Sequence, residues 1–281
     1  MKQIAIKYSG GTDSTATAAL MAEKFDRIHL VTCSHSGLKN VGNSARNIEK
    51  LMEIYGNDRF VHVILDVDRL YKMVTYADYL KNVRKHGFFV LTSCGMCHLS
   101  MHIRTLVYCM DNGIAEVADG SNKNSSLFPT QMETVIDEIR KMYARFGMNF
   151  TNPVYDYEFP TDIDWKHKFG LVRGAPEPPP GTTTGQVLFN RGILDRENVK
   201  GTATDRGMQP RCFQLTLLNL FALKYYIPRH GMDEYRKGTT RFYSDKVDLF
   251  TRRLEQFFEN RRGSILSRVI GPESKKNHDE T

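Results

Sequence analysis

The densest concentration of chemistry in the chain is the run Ser9-Gly10-Gly11-Thr12-Asp13-Ser14, which follows one strand-length apolar segment and precedes an alanine-rich stretch. Two adjacent glycines let backbone N–H groups turn toward an anion with no Cβ in the way. The hydroxyls of Ser9, Thr12 and Ser14 add donors, and a helix starting there adds a favourable dipole. Asp13 offers a carboxylate for a Mg²⁺ ion that bridges phosphate oxygens. No Gly-Lys-Ser/Thr follows at Walker A spacing, and the three spaced glycines of a dinucleotide loop are missing, so the run reads as a phosphate loop of another kind.

Cysteines form the second group, at 33, 94, 97, 109 and 212. Cys94-Gly-Met-Cys97 is a C-x-x-C turn at a helix start, which points both sulfurs to one side and favours thiolate through the helix N-terminus. No second C-x-x-C occurs, which disfavours a closed four-cysteine zinc site but leaves a Cys₃His site with His98 or His102 open. Cys212 ends Gly207-Met-Gln-Pro-Arg-Cys212, just before an apolar helical pattern. Cys94, Cys97 and Cys212 together could hold a [4Fe–4S] cluster with one iron left open for sulfide or substrate. A redox dithiol carrying a persulfide, a zinc site and incidental thiols are the other readings. Cys33, in a strand, and Cys109, late in a helix, are expected in the core.

The elements that must position these groups alternate in type over the first 160 residues, the pattern of a parallel sheet covered by helices. Strands are expected at Gln3–Tyr8, Ile28–Cys33, Phe60–Asp66, Ile114–Ala118 and Asn149–Asn152. Helices are expected at Ser14–Lys24, Asn43–Tyr55, Arg69–Lys85, His98–Asn112 and Thr130–Phe146, with Asn112-Gly113 and Phe146-Gly147 as stops. Strand ends on one sheet edge bind ligands in such folds. Thr32, Ser34 and His35 leave the second strand there, His35 reading equally well as a surface loop residue. Asp119, Gly120, Asn122 and Lys123 follow a later strand, where Asp119 or Asn122 could orient substrate or metal and Lys123 meet a phosphate; a plain turn is the alternative. The stretch Gly174-Ala-Pro-Glu-Pro-Pro-Pro-Gly181 cannot be regular structure. It suggests a nucleotide-binding α/β domain over 1–164 and a second region over 165–281, with helices at Phe213–Tyr226 and Asp245–Asn260 and a frayed tail from Ser274.

Composition narrows the class. Of 281 residues, 41% are hydrophobic and 25% charged, so neither disorder nor a fibrous repeat is expected. No apolar run is long enough for a membrane span, and the N-terminal segment is too short for a signal peptide, which predicts a cytoplasmic protein. The net charge of +7 is uneven: residues 1–164 carry 18 basic and 19 acidic side chains, residues 165–268 carry 19 and 10. That excess suggests tRNA or another polyanion docking on 165–268, with an ordinary solvated basic surface as the alternative. A homodimer remains open.

Ser-Gly-Gly-x-Asp-Ser after a first strand resembles the signature of the PP-loop ATP pyrophosphatases. That resemblance implies a Rossmann-like sheet of the adenine nucleotide alpha hydrolase type, with a helical, loop-rich C-terminal region. It also implies ATP and Mg²⁺ as ligands, with Ser9, Gly10, Gly11, Thr12, Asp13 and Ser14 around the pyrophosphate and Thr32, Ser34, Gly120 and Lys123 on the nucleotide side. Family members often carry Gly-His and acidic residues where this chain has Gly120-Ser121-Asn122-Lys123-Asn124. With Cys94, Cys97 and Cys212 added, the layout is similar to iron–sulfur-dependent PP-loop sulfurtransferases, the tRNA 2-thiocytidine synthetases most of all. The resemblance spans about residues 1–160, thins to Cys212, and lacks the arginine-rich stretch after C-x-x-C. It implies adenylation of a carbonyl oxygen and its replacement by sulfur, with Asp13, Asp119 and the three cysteines as catalytic residues. Open alternatives are a nitrogen-inserting ligase of the 7-cyano-7-deazaguanine synthase type holding zinc, a small-molecule sulfur acceptor, and a non-catalytic nucleotide-sensing RNA-binding protein.

Overall fold

The computed structural model describes residues 1–87, 90, 95–158, 182–199, 202–212 and 219–270. Its framework is a five-stranded parallel sheet of β1 (Gln3–Lys7), β2 (Arg27–Ser34), β4 (Phe60–Asp66), β5 (Glu116–Asp119) and β6 (Asn149–Thr151), in the order β4-β2-β1-β5-β6. Parallel strands covered on both faces read as continuous apolar runs, and Ile4–Ile6 and Ile28–Cys33 are buried without interruption. The chain steps outward from β1 through β2 to β4, then returns to lay β5 on the other side of β1. The resulting switch point lies between β1 and β5, and doubly wound sheets open a ligand crevice at the strand ends there.

One face carries α1 (Thr12–Ala22) and α2 (Ile48–Tyr55), joined later by α7 (Thr184–Asn190) and α8 (Ala203–Met208). Ile4, Ile6, Ala18, Leu51, Leu188 and Met208 share that core. The other face carries α3 (Asp68–Tyr76), α5 (Met96–Asp111), α6 (Glu133–Arg145) and the long α9 (Ile227–Glu259). Alternation along β1 sends Ile4 and Ile6 to the α1 face and Ala5 to the α5 face, and likewise splits Ala118 from Val117 on β5. On α9, Tyr235, Thr239, Phe242, Lys246, Phe250 and Phe257 recur at helical spacing on the buried face. A short antiparallel pair, β3 (Leu38–Lys39) with β7 (Arg211–Cys212), ties the C-terminal part back to the loop after β2.

The expected class, α/β with a parallel sheet flanked by helices, is what the strands form. Boundaries differ where local chemistry overrides periodicity. The single helix expected over Arg69–Lys85 is two, α3 and α4 (Tyr79–His86), because Ala77 turns extended and Asp78 sits at φ 56°. Residues 41–47 form 3₁₀ turns before α2, and Asp245–Asn260 is the end of a longer helix broken only at Gly231, φ 84°. Residues Asn219–Tyr226 are π-helical. The proline cluster with the expected boundary at 164, the start of the helix expected at Phe213, Cys94 and the tail lie outside the described residues. Among the described residues no helix is long and apolar enough to cross a membrane.

Candidate functional site

The glycine loop joins β1 to α1 at the switch point. Gly10 has φ 83°, and a Cβ there would run into the carbonyl of Met208 and lie 2.6 Å from the Cα of Ser44. A Cβ on Gly11 would lie 2.6 Å from Gln209 Oε1. At Gly10 only a glycine lets the main chain of Met208 and Ser44 close on the loop, whereas the end of the Gln209 side chain could move off a Cβ at Gly11. Ser14 Oγ donates to Gly11 O at 3.1 Å and accepts from Ser9 N at 3.3 Å, which rolls the loop around its own main chain. No side chain caps the N-terminus of α1, and the Thr12 hydroxyl is buried without a partner, so donors are left over at a positive helix end. Thr184 Oγ1 donates to Asp13 Oδ1 at 2.6 Å and holds that carboxylate at the loop mouth. Gly120 packs directly on this loop, where a Cβ would meet Ser14 N at 2.5 Å.

On the α5 side of the same strand pair the groups are ionisable. Parallel register sets Lys7 opposite Asp119, and Lys7 Nζ stands 3.6 Å from Asp119 Oδ2. Helix α5 adds His98 and His102, one turn apart, whose Nε2 atoms lie 4.0 and 3.7 Å from the same oxygen. Lys7 Nζ also contacts His98 Nε2. Asp119 Oδ1 accepts from Ser121 N at 2.9 Å and Asn152 Nδ2 at 2.8 Å. Burial drives the Asp119 carboxyl upward, but the Lys7 charge, His102 and the Ser121 hydrogen bonds together bring it below the usual carboxylate range. Burial, helped by Lys7, lowers His102 to about 3 and takes His98 well below its ordinary value, so both imidazoles are neutral at pH 7.

Cys97 lies in the first turn of α5 behind Gly95, φ 106°, and is buried. Cys212, on β7 opposite Leu38, is near enough for its charge to raise the Cys97 thiol, and burial first, then Cys97 and Cys212, raises Tyr71. Cys97 and Cys212, distant in sequence, therefore lie within electrostatic reach of each other and of Tyr71; Cys94 falls outside the described residues. Burial first, then Cys212, pushes Cys97 up to about 12, outweighing the hydrogen bond from His98 N–H. This corrects the expectation of a resting thiolate, since desolvation exceeds the helix-terminus effect. A buried and a half-buried soft donor within electrostatic reach of each other suit a thiophilic metal or an iron–sulfur cluster. Cys33 and Cys109 are core residues as expected, at 6% and 0% exposure, both raised by burial.

The remaining expected residues divide. Thr32 is buried, its hydroxyl donating to Tyr8 O at 3.0 Å, and Ser34 is half-buried at the end of β2. His35 is buried against Tyr71, ring centroids 4.7 Å apart, so the surface-loop reading is replaced by an interior position on the cysteine side. Asn122 organises its own loop, donating to Val154 O and Tyr157 O. Lys123 pairs with Asp156 at 3.2 Å, exposed to solvent. In the basic region Arg252 and Arg262 are exposed, Arg261 pairs with Asp111 over the Phe257 ring, and Phe257 is buried in the core.

Sequence reading missed Lys7, Thr184 and Gln209. A lysine in the apolar run Gln-Ile-Ala-Ile-Lys was a usable signal, and so was the threonine triplet closing the proline cluster. Gln209 carried none.

Fold and site define a class: a doubly wound parallel α/β protein with a glycine loop and an uncapped helix N-terminus at its switch point. No family model matches the chain, and no curated protein sequence matches it. Among solved structures it is similar to a predicted subunit of a tRNA methyltransferase from Methanocaldococcus jannaschii, 17% identical, TM-score 0.34, over 76% of this chain and 97% of that one. It is also similar to the U34-tRNA thiolase NcsA from Methanococcus maripaludis with its [4Fe-4S] cluster, 12% identical, TM-score 0.39, over 88% of this chain and 73% of that one. Both likenesses are too distant to assign a reaction.

Proposed function

We propose that the chain is an adenylating enzyme of the PP-loop kind that activates a carbonyl oxygen of a tRNA base with ATP and replaces it with sulfur. The observation that carries this reading is the uncapped glycine loop at the switch point of the sheet, with buried Cys97 and half-buried Cys212 within electrostatic reach of each other. Backbone N–H groups at the start of α1, with the hydroxyls of Ser9, Thr12 and Ser14, bind the β and γ phosphates. Asp13, steadied by Thr184, holds Mg²⁺. Thr32, Ser34, Gly120 and Lys123 are assigned to the nucleotide side.

In the first half-reaction the acceptor carbonyl oxygen attacks the α phosphorus and pyrophosphate leaves. In the second a sulfur nucleophile adds to the activated carbon and AMP leaves with the oxygen. Cys94, Cys97 and Cys212 would hold a [4Fe–4S] cluster, which when bound supplies an open iron for exogenous sulfide. Burial around Cys97 keeps water from competing for the activated carbon. Residues 165–268 supply the cations for tRNA, and the protein acts in the cytoplasm.

The test is anaerobic purification with iron and sulfide analysis, followed by incubation with Mg-ATP, sulfide and bulk tRNA and mass spectrometry of the digested nucleosides. A thionucleoside that disappears in Cys97→Ala and Cys212→Ala supports the reading. Nitrogen incorporation, or no modified nucleoside with an intact cluster, contradicts it.

A further inference from the structure

We propose that His98, His102 and Asp119 form a second metal site, separate from the cysteines, for a divalent transition ion of the zinc type, and that Lys7 holds the ion's place in the metal-free protein. Proton positions lead to this. The Tyr143 hydroxyl has a single hydrogen, and it donates to His102 O at 3.2 Å. With that hydrogen on the carbonyl, the Tyr143 oxygen accepts from His102 Nδ1 at 3.1 Å, the tautomer that leaves a lone pair on Nε2. That lone pair faces Asp119 Oδ2 at 3.7 Å, acceptor toward acceptor.

His98 repeats the pattern. Lys7 Nζ is only a donor, so the His98 Nε2 it contacts is also a lone pair, and His98 Nδ1 is left buried without a hydrogen-bond partner. The three ligand atoms lie within 4.8 Å of one another. Residues one turn apart on α5 bring the two imidazoles to one side. Asp119 Oδ1 is occupied by Ser121 and Asn152, leaving Oδ2 for the site. An outer hydrogen bond fixes the His102 tautomer and two more fix the carboxylate, as in built metal sites. Two imidazoles and a carboxylate are a zinc ligand set with a position left for water or a substrate oxygen. A cation already occupies the spot, that of Lys7, and a divalent ion must displace it.

The inference does not depend on what the cysteines bind, and the probe separates the two. Co²⁺ is titrated anaerobically into chelator-treated full-length protein and read by visible and near-ultraviolet absorption. A Cys94→Ser/Cys97→Ser/Cys212→Ser variant should still bind one Co²⁺ with d–d bands and no thiolate charge-transfer band. Lys7→Met should tighten that binding at least ten-fold, because a competing cation is gone. His98→Gln and Asp119→Asn, made in the wild-type chain should the triple variant fail to fold, should abolish the d–d component that is free of sulfur. No Co²⁺ in the folded triple variant, no gain in Lys7→Met, or full binding in His98→Gln overturns the site.

Discussion

The two walls of the β1/β5 crevice are built from opposite materials. On the α1 side the groups are main-chain N–H, glycine and hydroxyl, organised by close approach, as Gly10 and Gly120 show. On the α5 side they are a lysine, a carboxylate, two imidazoles and a thiol, largely out of solvent, where burial and neighbouring charge shift the carboxyl, the imidazoles and the thiol. Neighbouring strand residues serve both walls, because alternation sends Asp119 toward α5 while Gly120 lies against Ser14. An anion is met by preorganised dipoles that need no ionisable group, whereas bond-making chemistry and metals need groups whose charge burial can tune. The walls should therefore fail differently when mutated.

Asp119→Ala should give the largest loss of stability, because it strands Lys7 beside two neutral imidazoles. Breaking a buried pair costs about 3–5 kcal/mol, measured by urea unfolding. A loss below about 1 kcal/mol would show the α5 wall to be solvated. Asp13→Asn should leave the melting curve nearly unchanged while ending ATP cleavage, since its carboxylate serves the loop mouth. Gly10→Ala should lose both nucleotide binding and about 2–4 kcal/mol through the positive φ and the clash with Met208 and Ser44. Gly42→Ala, where a Cβ meets nothing within 4 Å, is the neutral control.

A smaller effect comes from pH. Burial and the nearby Arg27 charge lower His29 to about 4, and its ring is held between Tyr108 and Gln3. A folded pKa below the unfolded value of about 6.5 means that the unfolded chain binds the extra proton. Stability contributed by neutral His29 is full above about pH 6.5 and is lost as pH falls toward 4, about 3 kcal/mol in all. His29→Gln should flatten that part of the acid limb of stability against pH, and an unchanged limb would contradict the assignment. Smallest of all, Arg252→Glu or Arg262→Glu should leave stability alone and lower the salt dependence of RNA binding by about one counterion each.

How much was legible followed the range of the interactions. The glycine loop could be read directly because its residues are adjacent and their types are dictated by backbone geometry, and the strands declared themselves as apolar runs. Cys97 was visible as half of a C-x-x-C. The α5 wall was not visible as a unit, since Lys7, His98 and Asp119 meet only through the parallel register of β1 with β5 and the docking of α5. Cys212 is brought back beside the loop after β2 by β3 and β7, each two residues long and too short to leave a pattern. Asp78 and Gly231 show the converse: one residue at positive φ splits a helix that periodicity would draw as continuous, or interrupts one that glycine and proline concealed.

The central claim, that the glycine loop drives adenylation of a tRNA carbonyl, is tested most directly by the nucleotide products. Anaerobic protein is mixed with α- and γ-labelled Mg-ATP, with and without bulk tRNA, and quenched products are separated. The account predicts AMP and pyrophosphate in equal amounts, stimulated by tRNA and absent in Asp13→Asn. ADP and phosphate, or AMP release that Asp13→Asn leaves intact, would contradict it.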